Sequence, residues 1–161
     1  MTVTDVRKDI AAKTMVIESQ FNASAERIWQ LWEDPRQLER WWGPPGYPAT
    51  FTTLELRPGG VASYFMTSPE GEQFHGGWNV VEVNAPNRLV VDDYFADETG
   101  APNNDMPTGS MTVTISEAGG VTTMAIESRH ATAEDLQKVL QMGMEEGMVQ
   151  ALGQIEAILA D

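Results

Sequence analysis

The sequence predicts an α+β fold in which one antiparallel sheet packs against a long C-terminal helix. Three observations predict it: seven strand-like runs, two short tryptophan-rich helical segments after the first run, and one long amphipathic segment at the end. Strands that follow one another through short turns favour antiparallel pairing. An amphipathic helix of this length buries its apolar stripe against such a sheet.

The first strand is predicted over 15–21, where Met15, Ile17 and Phe21 alternate with polar or outward-facing neighbours. Residues 1–12 are mixed and polar, and we expect a loose N-terminal tail or a frayed strand start there. The remaining strand-like runs are bounded by turn residues and cover 49–57, 61–67, 74–84, 88–96, 110–117 and 121–129.

Two short helices are predicted between the first two strands. Ser24 is a suitable N-cap for a helix over 25–32, and Pro35 suits the first turn of a second helix that ends near Trp42. Trp41 and Trp42 are adjacent, so one helix face cannot bury both, and the following Gly-Pro-Pro must end the helix. Two large aromatic side chains at a helix end indicate the rim of a cavity.

The C-terminal helix is predicted over 133–160, with Thr132 as its N-cap. Its inner stripe is apolar and consists of Leu136, Leu140, Met144, Gly147, Ala151, Ile155 and Ile158. Gly143 and Gly147 each weaken a helix by about 1 kcal/mol relative to alanine, so we expect a compensating use of the free space. Close helix–sheet packing and a ligand cavity beneath the helix both remain open.

The composition of the chain excludes or disfavours several classes of function and of partner. The chain has 161 residues and a net charge of −14, which disfavours nucleic acid and anionic membrane surfaces as partners. It contains no cysteine, so thiol catalysis and disulfides are excluded, and no apolar run approaches the length of a membrane span. We therefore expect a cytoplasmic protein without metal or cofactor, in which the charge serves solubility or, alternatively, a basic protein partner.

Polar candidates for chemistry are few. In unbroken alternation His75 would point inward, whereas a bulge at Gly76-Gly77 would turn it outward. A lone histidine is more often structural, with an acid/base role in a pocket as the alternative. His130, between the last strand and the helix cap, is predicted at the surface. Asp93 is predicted at an edge or in solvent, although burial of its face would raise its pKa.

The remaining site signal is a set of aromatic and methionine side chains at inner positions, typical of an apolar pocket with few polar groups. Tyr64, Tyr47 and His75 are the candidate polar contacts, and His75 and Tyr64 are weak candidates for catalysis. The predicted ligand-binding residues are Trp41, Trp42, Tyr47, Tyr64, Met66, His75, Trp78, Met111, Met124, Gly143, Met144 and Gly147.

Several segments resemble one family. They are Phe-Asn-Ala-Ser-Ala-Glu-Arg-Ile-Trp at 21–29, Trp-Trp-Gly-Pro at 41–44, Arg-Pro-Gly-Gly at 57–60 and Met-Gly-Met-Glu-Glu-Gly-Met at 142–148. Together they resemble the START-like (SRPBCC, birch-pollen-allergen-like) superfamily, in the branch named after the activator of heat-shock protein 90 ATPase. The resemblance implies a helix-grip fold over 13–161 as a single domain, with a curved sheet of six or seven strands around the long helix and an apolar cavity between them.

The resemblance also implies three hypotheses for function. Members of the superfamily bind lipids, sterols or polyketides, and some catalyse cyclisations or hydrolyses, without a shared set of catalytic residues. The first hypothesis is a binding protein for a small apolar or aromatic ligand. The second is a cyclase- or hydrolase-type enzyme that uses the same cavity, and the third is a co-chaperone-like module with a protein partner or a second copy of the chain.

Overall fold

A computed structural model describes residues 2–161 and contains eight strands and five helices. The strands are β1 (Val3–Asp9), β2 (Thr14–Phe21), β3 (Ala49–Leu54), β4 (Val61–Thr67), β5 (Gln73–Asn84), β6 (Arg88–Ala96), β7 (Gly109–Ala118) and β8 (Val121–His130). The helices are α1 (Ala25–Glu33), α2 (Pro35–Trp41), α3 (Ala133–Gln141), α4 (Met144–Leu152) and α5 (Ile155–Leu159). All strands join one antiparallel sheet in the order β1-β2-β8-β7-β6-β5-β4-β3.

The predicted α+β helix-grip fold is confirmed, with eight strands rather than six or seven. The additional strand is β1, which pairs with β2, so of the loose tail and the frayed strand start expected over residues 1–12, residues 3–9 form strand. Its backbone is fixed by pairing, yet only Val3 and Val6 pack against the core. Because the other side chains of β1 face solvent, the sequence shows too little alternation there to predict a strand.

One face of the sheet forms the core with α1, α2 and the C-terminal helices. Its buried side chains include Ile17, Ala62, Trp78, Leu89, Val91, Met111, Val113, Met124 and Ile126. Alternation along β5 is interrupted by a register shift between Val80 and Glu82, so Val81 is exposed whereas Val83 packs against the core. The bulge therefore lies at Val81, and the expectation that it falls at Gly76-Gly77 is wrong.

The two short helices form as predicted and hold the tryptophans. Ser24 Oγ accepts a hydrogen bond from the Arg27 backbone N at 3.1 Å, which caps α1. Trp41 and Trp42 are both buried, although one face of a helix cannot bury two adjacent residues. The two side chains are buried against different elements: Trp41 Nε1 donates a hydrogen bond to the Leu31 carbonyl of α1, whereas the Trp42 ring contacts Trp78 of β5 edge to face.

The C-terminal segment is helical throughout most of its length, but it is divided into α3, α4 and α5 rather than forming one helix. The first break lies at Met142-Gly143, where Gly143 has a φ of +93°, a left-handed value that disfavours side chains. The second lies at Gly153-Gln154. Gln154 Nε2 donates hydrogen bonds to the Gly43 and Trp41 carbonyls at 2.7 and 3.3 Å, which ties this break to the end of α2.

Within residues 2–161, no helix has the length and apolar character that crossing a membrane would require.

Candidate functional site

A partly open cavity of about 200 Å³ lies between the inner face of the sheet and helices α3 and α4. Much of its wall is apolar and is formed by Met66, Phe74, Phe95, Met111, Val139, Met144 and Met148. The polar groups of the wall belong to Trp42, Tyr64, Asp93, Ser128 and His130, which together are called the polar end. The cavity therefore combines a methionine-rich apolar part with a compact polar end.

The cavity brings together half of the predicted binding residues, namely Trp42, Tyr64, Met66, His75, Met111 and Met144. The others lie elsewhere. Trp41, Trp78 and Met124 are buried in the core, and Tyr47 lies at the surface against Phe74, with 6.3 Å between ring centroids. Gly143 ends the first helical segment, and a Cβ built on Gly147 would meet no atom within 4 Å.

Gly143 therefore has a use that differs from both of those expected, whereas Gly147 shows neither of them. Gly143 supplies the left-handed backbone at the helix break, and Gly147 is neither at a close contact with the sheet nor on the cavity wall. The methionines beside them, Met144 and Met148, form the wall instead.

His75 borders the cavity but lies on the outer face of β5. It pairs with Phe65 across β4 and β5, and the two rings lie 5.5 Å apart between centroids. Alternation along β5 puts Trp78 and Val80 on the buried face and therefore puts His75 on the opposite one. Of the two directions considered for His75, the outward one follows from this alternation, and the bulge that separates His75 from the parity of Val83 lies at Val81 rather than at Gly76-Gly77.

Three residues cross the polar end of the cavity in one row of the sheet. Asp93 on β6 pairs with Gly109 on β7, which in turn pairs with His130 on β8. His130 is only 8% exposed, so its predicted surface position is wrong. Asp93, expected at an edge or in solvent, is half-buried and also lines the cavity.

Gly109 makes room for the His130 imidazole. A Cβ at this position would lie 2.9 Å from both Cε1 and Nδ1 of His130 and 2.8 Å from the Arg129 carbonyl oxygen. Distances this short do not occur between real atoms of these types, so any side chain at 109 would displace the ring. The close approach therefore fixes where His130 lies.

A second close approach positions Tyr64. Its hydroxyl and ring would lie 2.6 Å from a Cβ built on the paired Gly76. The ring also contacts Trp42 edge to face, with 6.0 Å between centroids. Gly76 and Gly109 thus place a phenol and an imidazole at the same cavity wall.

The polar groups of this end differ from their usual behaviour in water. Burial raises the pKa of the Tyr64 phenol, and the Trp42 indole N–H, which approaches it without completing a hydrogen bond, lowers that pKa in part. Burial also raises the pKa of the Asp93 carboxyl, which the nearby His130 partly offsets. Both groups are therefore held toward their protonated forms.

Two residues of the cavity wall each have a buried nitrogen without a hydrogen-bond partner among the residues that the structure describes. Among residues 2–161, neither Trp42 Nε1 nor His130 Nδ1 finds a hydrogen-bond partner. A buried polar atom without a partner costs about 1–3 kcal/mol, so a group that completes these bonds would gain much of that free energy on binding. The polar end can therefore hold and orient a small polar group inside an otherwise apolar space.

The polar end also borders a solvent-open groove of about 490 Å³. Asp93, Tyr94, Gly109 and His130 line both spaces. Asp92 and Arg129 line the groove alone, on the outer side of the sheet. Asp93 and His130 consequently stand between the cavity and solvent.

In the described part of the chain, no group of three or more His, Cys, Asp or Glu side chains is arranged to hold a metal ion.

A family model described as Activator of Hsp90 ATPase homolog 1-like protein matches residues 22–160. The chain belongs to this family. The match begins at the end of β2 and includes every residue of the polar end and of the cavity wall. No curated protein matches the chain.

Solved structures resemble this chain over almost all of its length. Protein Ms6760 from Mycobacterium smegmatis is 45% identical with a TM-score of 0.91, and the match covers 98% of this chain and 96% of that one. A protein from Arthrobacter aurescens is 46% identical with a TM-score of 0.95 and coverages of 99% and 92%. A Rhodobacter sphaeroides protein at 24% identity shares the fold, with a TM-score of 0.83 and 97% of both chains covered.

Sequence reasoning missed Asp93, Ser128 and His130 as cavity residues. A usable signal was present for two of them, because Met124, Ile126, Ser128 and His130 alternate along β8 with the first two buried. Extending the predicted strand by one residue would have turned His130 inward.

Proposed function

We propose that this chain binds a small apolar or aromatic ligand in the cavity between the sheet and helices α3 and α4. The observation that carries the proposal is the pairing of a methionine-rich apolar wall with a compact polar end at which His130 Nδ1 is buried and, within residues 2–161, unpaired. An apolar pocket with a few convergent polar groups is the usual form of a small-molecule site.

The cavity volume limits the ligand. At about 200 Å³ it is smaller than the roughly 300–1,000 Å³ of sites for drug-sized molecules. Apolar cavities of about 150 Å³ in other proteins accommodate benzene. The proposed ligand is therefore of single-ring size.

The four methionines of the wall favour tolerance of shape. Met66, Met111, Met144 and Met148 have flexible side chains and polarisable sulfur atoms, which contact aromatic rings favourably. We expect related single-ring compounds to bind with similar affinities as long as they fit the volume.

Calorimetric titration with single-ring compounds such as toluene, together with native mass spectrometry of gently purified protein, tests this proposal. Met148→Trp fills the cavity and should abolish binding. Met142→Trp, on the exposed residue at the helix break, should leave binding unchanged. If no single-ring compound binds the wild type, or if Met148→Trp binds as well as wild type, the proposal is wrong.

A second candidate function is acid–base catalysis in the same cavity, favoured by the placement of Asp93 beside His130 at the polar end. A carboxyl and an imidazole within one partly dry site can hold and transfer a proton. A bound compound whose NMR spectrum changes with time in the presence of wild type, but not of His130→Leu, would support catalysis. A bound compound that stays unchanged with both proteins would favour binding alone.

A further inference from the structure

We propose that the ligand is a small aromatic compound that carries a neutral hydroxyl group, a phenol, with this hydroxyl at the Asp93–His130 end of the cavity. The inference rests on the proposed function, because it names the ligand class of the same cavity. Its argument is the set of donors and acceptors that the polar end presents.

The polar end presents both kinds of hydrogen-bonding group. Trp42 Nε1 can only donate, and the Tyr64 hydroxyl can donate or accept. Asp93 and His130 line the same cavity; the Asp93 carboxyl keeps an acceptor oxygen in either protonation state, and His130 Nδ1 is unpaired among the described residues. A ligand group that satisfies this end must therefore accept one hydrogen bond and donate another.

A neutral hydroxyl meets this requirement, whereas other common groups do not. A carboxylate would bring a negative charge into a site whose burial already raises the pKa of the Asp93 carboxyl, in a chain that carries −14. An ammonium group has no acceptor for Trp42 Nε1. A carbonyl group has no hydrogen to give to Asp93 or His130, and a hydrocarbon leaves every polar group of the end unpaired.

The geometry of the wall orients such a ligand. Gly109 lets the His130 ring lie against the backbone of β7, and Gly76 does the same for Tyr64 on β5. Both polar rings are thus held at fixed places while the methionines around the rest of the cavity adapt to the ligand ring. The hydroxyl is directed to one end because the remaining wall is apolar.

Phenol and toluene form a matched pair for the test, since they differ in a hydroxyl against a methyl group of similar size. We expect wild type to bind phenol at least about tenfold more tightly than toluene in calorimetric titrations, the factor that one good buried hydrogen bond supplies. In NMR spectra, the Trp42 indole N–H resonance, identified with Trp42→Phe, should move on addition of phenol and much less on addition of toluene.

Three variants localise the preference. Asp93→Leu and His130→Leu should each reduce the phenol-to-toluene ratio to about one, with toluene affinity retained as evidence of an intact cavity. Asp92→Leu, which changes the adjacent residue on the opposite face of β6, should keep the wild-type ratio. If either of the first two variants does not fold, the wild-type indole resonance still decides whether the hydroxyl reaches Trp42.

The outcomes separate this inference from the proposed function. Equal affinities for phenol and toluene, or tighter binding of benzoate or benzylamine than of phenol, would overturn the hydroxyl inference and leave a small-ligand site in place. Failure of all four compounds to bind would remove the proposed function together with it.

Discussion

At the scale of single residues, the Asp93 carboxyl has an unfavourable environment when it is ionised. It lines an apolar cavity, and burial raises its pKa despite the partial compensation from His130, while the charge of Asp92 acts in the same direction as burial. A group that is harder to ionise in the folded chain than in the unfolded chain weakens the fold once the pH allows ionisation. A ligand that donates a hydrogen bond to the carboxyl would therefore recover part of this unfavourable free energy when it binds.

Asp93→Asn should therefore stabilise the free protein at neutral pH. Below about pH 4, the ordinary pKa of an unfolded aspartate, both states of wild type keep the proton and the variant gains nothing. As the pH rises, the unfolded state ionises first, so wild-type stability falls until the raised folded-state pKa is passed. Urea denaturation between pH 3 and 8 measures this, with Asp92→Asn as the control on the exposed neighbour. A difference between Asp93→Asn and wild type that does not vary with pH would contradict the assignment.

Whether a residue of the site could be predicted from the sequence depended on its side-chain type. Trp42, Tyr64 and Met66 were predictable because large apolar side chains at alternating strand or helix positions are buried in most folds. Asp93 lies on the same face of β6 as Leu89 and Val91, but its charge led to the prediction of a position at an edge or in solvent. His130 continues the alternation of β8 one residue beyond the predicted end of that strand, so its inward direction was missed together with the boundary.

At the scale of elements, the C-terminal region shows what hydrophobic spacing does and does not determine. The apolar stripe through Leu136, Ala151 and Ile155 was predicted, and these side chains are buried. The division into α3, α4 and α5 was not, because the spacing continues across Gly143 while the backbone there adopts a φ of +93°. A left-handed residue alters the path of the chain without altering the order of apolar residues.

Two glycines of this region should respond in opposite ways to alanine. Gly147→Ala adds a Cβ that meets no atom within 4 Å inside α4, so the free energy of unfolding should rise by up to about 1 kcal/mol. Gly143→Ala forces a side chain onto a left-handed backbone and should lower it by about 1–2 kcal/mol. Chemical denaturation of both variants measures the pair, and equal effects of the same sign would contradict this account of the break.

At the scale of the whole molecule, acidic charge dominates the surface. The chain carries 24 acidic and 10 basic residues, so many carboxylates have no cation of their own. Ion pairs such as Lys8 Nζ to Glu145 Oε1 at 2.6 Å, which joins β1 to α4, are exposed and each contributes little. Repulsion among the excess carboxylates therefore outweighs the attraction of the surface pairs.

Moderate salt should accordingly stabilise the fold at neutral pH. Raising NaCl from about 10 to 500 mM shortens the Debye length from about 30 Å to below 10 Å, which screens the repulsion. The melting temperature should increase by several degrees, as measured by circular dichroism, and KCl should have the same effect as NaCl. A melting temperature that falls with added salt would mean that the surface ion pairs are the stronger contribution.

The break at Gly143 has a mechanical consequence for the cavity. Val139 on α3 and Met144 and Met148 on α4 contribute to one wall from opposite sides of this residue. Helices α3 and α4, which are joined at Gly143, thus cover the cavity on one side, and the hydrogen-bonded strands of the sheet cover it on the other. A small backbone rotation at Gly143 can change the distance between these helices and the sheet while every strand pairing stays in register. Ligands of different thickness can then bind without any change in the sheet.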